Sequence, residues 1–246
     1  MKITLDKIIT NKIQEIAEKK KVRGFLNAIK IPKAGDISII AEIKLASPSA
    51  GKLGDKEMGV RRAKKYESGG ADAVSVVVDK KYFGGSYELL KRIKHTVSLP
   101  ILTKDFIIDP YQICEAKVNG ADAVLLIVKI LKKNQLVQYI KLISELGMEP
   151  VVEVETEEEL KVAVNTDARI IAVNARDLAT FKVDIGKACE LIKDIPKKFV
   201  SLGFSGVFDR RGIRNYKDAG ATGVLVGTSL MKTNNIKGFL MSLRAT

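Results

Sequence analysis

Histidine and cysteine are nearly missing from this chain: His95 stands alone, and Cys114 and Cys189 are the only thiols. A single histidine that follows an apparent helix reads as a surface residue and is badly placed for a serine or cysteine triad. Both cysteines fall in helical stretches without metal-ligand spacing. That pattern speaks against a zinc site or a disulfide scaffold and suits a reducing cytoplasm. No cluster of Asp and His suggests a metal, and no Gly-x-Gly-x-x-Gly phrase suggests a dinucleotide. Long apolar runs are also lacking. Ala123–Val128 is among the longest, far short of the roughly 20 residues that span a bilayer. Met1–Asp6 carries no apolar h-region, so no secretory signal is expected.

Acidic residues are in the minority, 29 Asp+Glu against 42 Lys+Arg, for a net charge of +13. Such an excess attracts anions, whether nucleic acid, acidic membrane or phosphorylated metabolites. The basic residues are scattered, as at Lys19–Lys21, Arg61–Lys65 and Lys197–Lys198, without interleaved aromatics. They therefore read as a lysine-rich solvated surface. The expected partner is a small phosphorylated molecule, with no nucleic acid and no membrane. The remainder is globular: 46% hydrophobic and 29% charged, with no linker or low-complexity stretch across 246 residues.

A phrase recurs along the chain. Gly70-Ala71-Asp72-Ala73-Val74 leads into Ser75–Val78, Gly120-Ala121-Asp122-Ala123-Val124 into Leu125–Val128, and Gly220-Ala221-Thr222-Gly223-Val224 into Leu225–Gly227. A weaker copy begins at Asp167. Each copy reads as a helix C-terminus closed by a small residue, followed by a buried strand. Continuous apolar strands suit parallel pairing with both faces covered. Filling the intervals predicts eight strands: Ile39–Lys44, Ala71–Val78, Pro100–Phe106, Ala121–Val128, Glu149–Val154, Arg169–Ala175, Lys198–Phe204 and Thr222–Thr228. Amphipathic helical stretches such as Tyr111–Asn119 and Lys133–Leu146 lie between them. Regular βα alternation with short links predicts one closed (β/α)8 TIM barrel, with a doubly wound open sheet as the alternative. Leu5–Lys21 reads as an extra amphipathic helix, part of an N-terminal helical extension over residues 1–38 packed on the barrel.

In such a barrel, chemistry collects where strands end and the βα loops begin. Strand one ends Glu42-Ile43-Lys44, and residues two apart share a face. Strand three carries Lys104, strand five Glu153 with Glu155 two residues on, and strand six Asn174 and Arg176. A lone charge at a strand end is usually a solvated loop edge. Two lysines, two carboxylates and an amide at four ends are costly to bury unpaired and are suited to alternating ion pairs and acid/base work. Asp105, next to Lys104, alternates outward and reads as structural. Strand seven runs into Ser205-Gly206 and strand eight into Gly227-Thr228-Ser229. Small residues there let backbone N–H groups approach an anion, and barrels often hold phosphate at this corner. The residues thus point to acid/base work without a cofactor on a phosphorylated substrate.

Several phrases at these ends resemble the indole-3-glycerol phosphate synthase family: Ala41-Glu42-Ile43-Lys44 with Ser47-Pro48-Ser49, Tyr82-Phe83-Gly84-Gly85-Ser86, Leu102-Thr103-Lys104-Asp105-Phe106, Val173-Asn174-Ala175-Arg176-Asp177-Leu178 and Val226-Gly227-Thr228-Ser229. The resemblance runs in order from about Leu5 to the end of the chain. It implies ring closure of 1-(2-carboxyphenylamino)-1-deoxyribulose 5-phosphate, with loss of carbon dioxide and water, in tryptophan biosynthesis. By resemblance Lys104 is the general acid at the substrate carbonyl, Glu153 serves the proton transfers of dehydration, and Glu42 orients or relays protons. Lys44 meets the substrate carboxylate or phosphate, and Asn174 positions its hydroxyls. Ser47, Gly206, Gly227 and Thr228 line the phosphate site, Ser205 and Arg176 contact substrate, and Phe83 and Leu125 wall the aromatic ring. The resemblance implies no metal and no cofactor, and a monomer or at most a weak homodimer.

The sequence departs from the family pattern in two places. Phe204 stands before Ser205-Gly206 where the family has a carboxylate, and Leu45 and Ala46 replace basic residues. If the neighbours of Phe204 are still arranged for a carboxylate, Phe204→Glu is expected to raise kcat/KM; if the pocket has repacked around the ring, it is expected to lower it. The matching neighbours favour the rise. Other readings are a low-activity or repurposed phosphosugar-binding relative, another phosphosugar barrel, or a basic nucleic-acid-binding protein.

Overall fold

The computed structural model describes residues 7, 9, 24–177 and 180–244. Eight parallel strands close on themselves: β1 Ser38–Ile43, β2 Ala73–Val77, β3 Ile101–Lys104, β4 Ala123–Ile127, β5 Glu149–Val154, β6 Ile170–Asn174, β7 Val200–Phe204 and β8 Gly223–Val226. Each neighbours the next in chain order, and β8 returns to β1 with Ser38 opposite Gly223 and Ala41 opposite Val226. The chain therefore forms the closed barrel, and the open-sheet alternative is excluded. Helices α1 Lys56–Ser68, α2 Tyr87–Lys94, α3 Pro110–Val118, α4 Lys133–Glu145, α5 Glu157–Ala163, α6 Ile185–Lys193, α7 Arg210–Asp218 and α8 Ile236–Arg244 follow the strands in turn. The helix expected over Leu5–Lys21 lies outside the described residues, apart from Lys7 and Ile9.

Local chemistry explains the alternation. Asp55, Ser86, Asp109, Thr156, Asp184 and Asp209 each cap a helix by accepting a backbone N–H from its first turn. Such caps satisfy donors that have no partner within the helix. Gly70, Gly120 and Gly220 of the repeated phrase have φ of 89°, 94° and 96°. This left-handed turn lets each helix end and the next strand begin.

The aspartates of the phrase do a second job. Asp72 and Asp122 accept the backbone N–H groups of Ile39 and Ile101, at the starts of neighbouring strands. Each is also met by a cation, Arg244 at 2.6 Å and Lys94 at 2.5 Å. The predicted strands therefore begin about two residues early at these copies. Ala71 and Ala121 belong to the turn, and the aspartate just before each strand bonds the neighbouring strand through both its backbone N–H and its side chain, as a latch.

Asp72 is wholly buried and also accepts from the Lys33 N–H at 2.6 Å. The same Arg244 guanidinium donates to the carbonyls of Ala34 and Gly70. Removing one partner of a buried ion pair costs about 3–5 kcal/mol. Asp72→Ala should therefore lower Tm by roughly 10 °C in a chain of this size, measured by calorimetry. An unchanged Tm would show that the latch contributes nothing.

The core has two layers. Ile39, Val74, Val124, Val152 and Ile171 lie in the shell between strands and helices. Ile40, Leu102, Leu125, Val151, Leu202 and Phe204 fill the barrel interior. The helix Phe25–Lys30 adds Phe25 and Ile29 to this inner cluster and packs against β1 and β2. An apolar plug of this kind makes the barrel a filled solid with one open end. Among the described residues, no helix is long and apolar enough to cross a membrane.

Candidate active site

The open end is a cavity of about 760 Å³ at the C-terminal ends of the strands. All thirteen residues singled out from the sequence line it: Glu42, Lys44, Ser47, Phe83, Lys104, Leu125, Glu153, Asn174, Arg176, Ser205, Gly206, Gly227 and Thr228. They come from all eight strands and the loops that follow them, so only barrel closure brings them together.

Two ion pairs dominate the polar part. Lys104 Nζ donates to Glu153 Oε2 at 3.2 Å, and Lys44 Nζ lies 2.7 Å from Glu42 Oε1. The second contact is a close ion pair between an ammonium and a buried carboxylate. The carboxylates are deep, with side chains 1% and 3% exposed, whereas the Lys104 and Lys44 side chains keep 21% and 16%. Each base is thus sequestered while its ammonium faces the cavity. Burial pushes the Glu42 carboxyl upward, but Lys44, Lys104 and Arg176 outweigh it and hold the group below its usual range. The lining carries three cations, Lys44, Lys104 and Arg176, and four carboxylates, Glu42, Asp79, Asp105 and Glu153, so an anionic ligand is met by individual cationic groups rather than by a net excess of positive charge.

Asn174 is the hub of the far wall. Its Nδ2 donates to Glu153 Oε1 at 3.1 Å, and its Oδ1 accepts from Ser205 Oγ at 2.8 Å and from the Arg176 N–H at 3.0 Å. These bonds give it a role in orienting Glu153, beyond the hydroxyl contact that the resemblance implies. Arg176 Nη1 donates to the Phe181 carbonyl and pins the loop after β6. Ser205 and Gly206 follow β7 at φ of 70° and 80°. A serine in this region is uncommon and marks a turn held for a purpose.

Gly227 lies against Glu42: a Cβ there would stand 2.3 Å from Glu42 Oε1 and 3.0 Å from Cδ. Gly227→Ala should push Glu42 off Lys44 and reduce kcat/KM by roughly ten- to a hundredfold, the scale of a misplaced active-site group. Steady-state kinetics check it, and wild-type activity would show that Glu42 has room to move.

Ser47 sits on a feature that the sequence did not suggest, a small hairpin pairing Ala46–Ser47 with Gly51–Lys52. Its Oγ accepts from the Ala50 N–H. Phe83 is placed by Asp79, which accepts the N–H groups of Tyr82 and Phe83. Its ring centroid lies 6.2 Å from that of Phe106. Tyr82, Phe106, Phe181 and Phe208 are all exposed and form an aromatic rim around the mouth. Phe106 belonged to a recognisable phrase, but Phe181 and Phe208 stand on loops with no periodic or motif signal. Asp105 also lines the mouth, where its carboxylate accepts from Gln112 Nε2 and the Phe106 N–H, a structural role. Glu155 is drawn to Lys129 at 2.8 Å and is not part of the lining. His95 is exposed at the end of α2, and the two cysteines are free.

A filled parallel barrel with paired acids and bases at its open end, and a tight turn after β7, has the build of a (β/α)8 enzyme acting on an anionic metabolite. Solved structures agree on the fold. A Pyrococcus furiosus tryptophan synthase alpha-subunit superposes with a TM-score of 0.66 at 17% identity, over 85% of this chain and 98% of that one. The N-acetylmannosamine-6-phosphate 2-epimerase of Clostridium perfringens gives 0.62 at 15% identity, over 78% and 87%. Sequence comparison is more specific. The profile of the indole-3-glycerol phosphate synthase family matches residues 3–243. The indole-3-glycerol phosphate synthase of Aquifex aeolicus (strain VF5) is 45% identical over 228 residues, covering 91% of this chain and 87% of that protein. Its namesake in Lachnoclostridium phytofermentans is 42% identical over 209 residues, covering 85% and 77%. The chain belongs to the indole-3-glycerol phosphate synthase family.

Proposed function

We propose that the protein is a carboxy-lyase of tryptophan biosynthesis that closes the indole ring of 1-(2-carboxyphenylamino)-1-deoxyribulose 5-phosphate. The observation that carries this is the Lys104–Glu153–Asn174 chain facing the Lys44–Glu42 pair across one cavity. Lys104 Nζ gives a proton to the substrate ketone oxygen as the ring carbon bearing the carboxylate attacks the ketone carbon. A C–C bond forms and the carbonyl becomes a hydroxyl. The bond from ring to carboxylate then breaks, carbon dioxide leaves and its electrons return to the ring. In the last step the hydroxyl departs as water with a second proton, while Glu153 accepts a carbon-bound proton to complete the indole. Two protons enter and one leaves, so the sum is indole-3-glycerol phosphate, carbon dioxide and water with net uptake of one proton.

Proton transfers of this kind need positioned acids and bases near the operating pH. Side chains already present supply them, so no metal or cofactor is invoked. Lys44 suits an anionic end of the substrate, and the Ser205-Gly206 and Gly227-Thr228 turns suit its phosphate. The aromatic rim with Phe83 and Leu125 suits the phenyl ring. The working unit we propose is a monomer in a reducing cytoplasm, with no nucleic-acid partner.

The test is incubation of purified protein with the carboxyphenylamino substrate while indole fluorescence is followed. Steady growth of signal is expected, and none at high enzyme concentration would sink the proposal. Phe204 favours a second reading, a slow or repurposed relative, which would show as weak turnover with intact substrate binding.

A further inference from the structure

The Lys104 ammonium has two fixed neighbours. One is Glu153 Oε2 at 3.2 Å; the other is the ring of Phe204, whose centroid lies 5.3 Å from Nζ. Phe204 ends β7 opposite Asn174 of β6 and Leu225 of β8, and belongs to the inner cluster of the barrel. It is only 1% exposed, so the ring is clamped where it stands. A lysine has a long flexible stem and a point-like charge. With one hydrogen bond, to Glu153, and only the undirected pull of Glu42 besides, Nζ is free to pivot about one oxygen. The aromatic face removes part of that freedom through cation–π attraction.

We infer that Phe204 is a positioning residue for Lys104 and that it does this work at the place where the family resemblance has a carboxylate. The two solutions differ chemically. A carboxylate would accept a hydrogen bond and divide the ammonium between itself and Glu153. The ring attracts the cation and accepts no strong hydrogen bond, so the N–H groups stay available to Glu153 and to the cavity. The packing is that of a pocket arranged around the ring, against the expectation from matching neighbours that a carboxylate is simply missing. The role of Lys104 as the acid rests on the proposed function, whereas its contact with Phe204 does not.

Three substitutions and one spectrum test the inference. Phe204→Leu should lower kcat about five- to thirtyfold with KM within about twofold, because orientation is lost and substrate contacts are kept. Phe204→Tyr, which retains the ring, should keep kcat within about threefold of wild type. Phe204→Glu should lower kcat/KM, since Lys104 would be pulled into a second ion pair. In protein labelled with carbon-13 at the lysine ε position, the Lys104 signal, assigned with Lys104→Met, should show protons shifted upfield by the ring. The shift should vanish in Phe204→Leu and return in Phe204→Tyr.

Unchanged kcat in a folded Phe204→Leu protein would overturn the inference. So would an unshifted Lys104 signal in wild type, or a ten- to hundredfold rise in kcat/KM with Phe204→Glu. If wild type fails to turn over the carboxyphenylamino substrate, the proposed reaction is wrong, and the ring-current shift alone decides whether Phe204 holds Lys104.

Discussion

Lys104→Ala lowers turnover by about a hundredfold or more while the fold persists; that is the result expected if Lys104 delivers the first proton. The side chain is one-fifth exposed at the cavity edge and contributes little packing, but its loss leaves the 1%-exposed Glu153 carboxylate without its cation, so Tm should fall by up to roughly 10 °C while the chain still folds. What disappears is the acid at the ketone oxygen and the counter-ion of Glu153. KM should change far less than kcat, because the substrate anions keep Lys44 and the β7 and β8 turns. Steady-state kinetics with a melting curve checks both halves. Near-normal kcat would remove Lys104 from the role.

Glu153→Gln should cost roughly 10²–10⁴ in kcat, the range of a positioned proton-transfer group. The substitution is nearly isosteric, but its chemistry is wrong for this wall. Glu153 accepts on both oxygens, from Lys104 and from Asn174. A glutamine offers one acceptor and one NH2, so one existing donor must face another donor. Lys104 loses its anchor as the base disappears. The two residues therefore act as a unit, and effects within a unit are not additive. The double variant Lys104→Ala/Glu153→Gln should be about as slow as the slower single one. A double loss equal to the product of the single losses would mean that the groups act independently.

Much of this site was legible from polarity alone. Glu42, Lys44, Lys104, Glu153 and Asn174 interrupt strands that are otherwise apolar, and a charge in such a place is costly unless paired. Pairing partners were not legible. Lys104 meets Glu153 across 49 residues and Ser205 meets Asn174 across 31. Asp105 beside Lys104 and Glu155 beside Glu153 carry the same charge types but are held by Gln112 and Lys129. Side-chain alternation places a residue on a face and is silent about which neighbour waits there.

The eight strands, their parallel order and the corner after β7 and β8 were all implied by the chain itself. Continuous apolar runs and the recurrent Gly-Ala-Asp phrase are local signals, and local signals repeat regularly enough to count. The aromatic rim was not implied, because Phe181 and Phe208 sit on loops whose course is set by what they pack against. Nor was the use of Asp72 and Asp122 as latches on the next strand, which requires β1 and β3 to arrive beside them. The clearest division falls at Phe204. The sequence determined that β7 ends in an aromatic ring where a carboxylate was expected. Only closure of the barrel decided that the ring lies beneath the Lys104 ammonium, because the two residues stand on strands that are not neighbours and meet only across the interior.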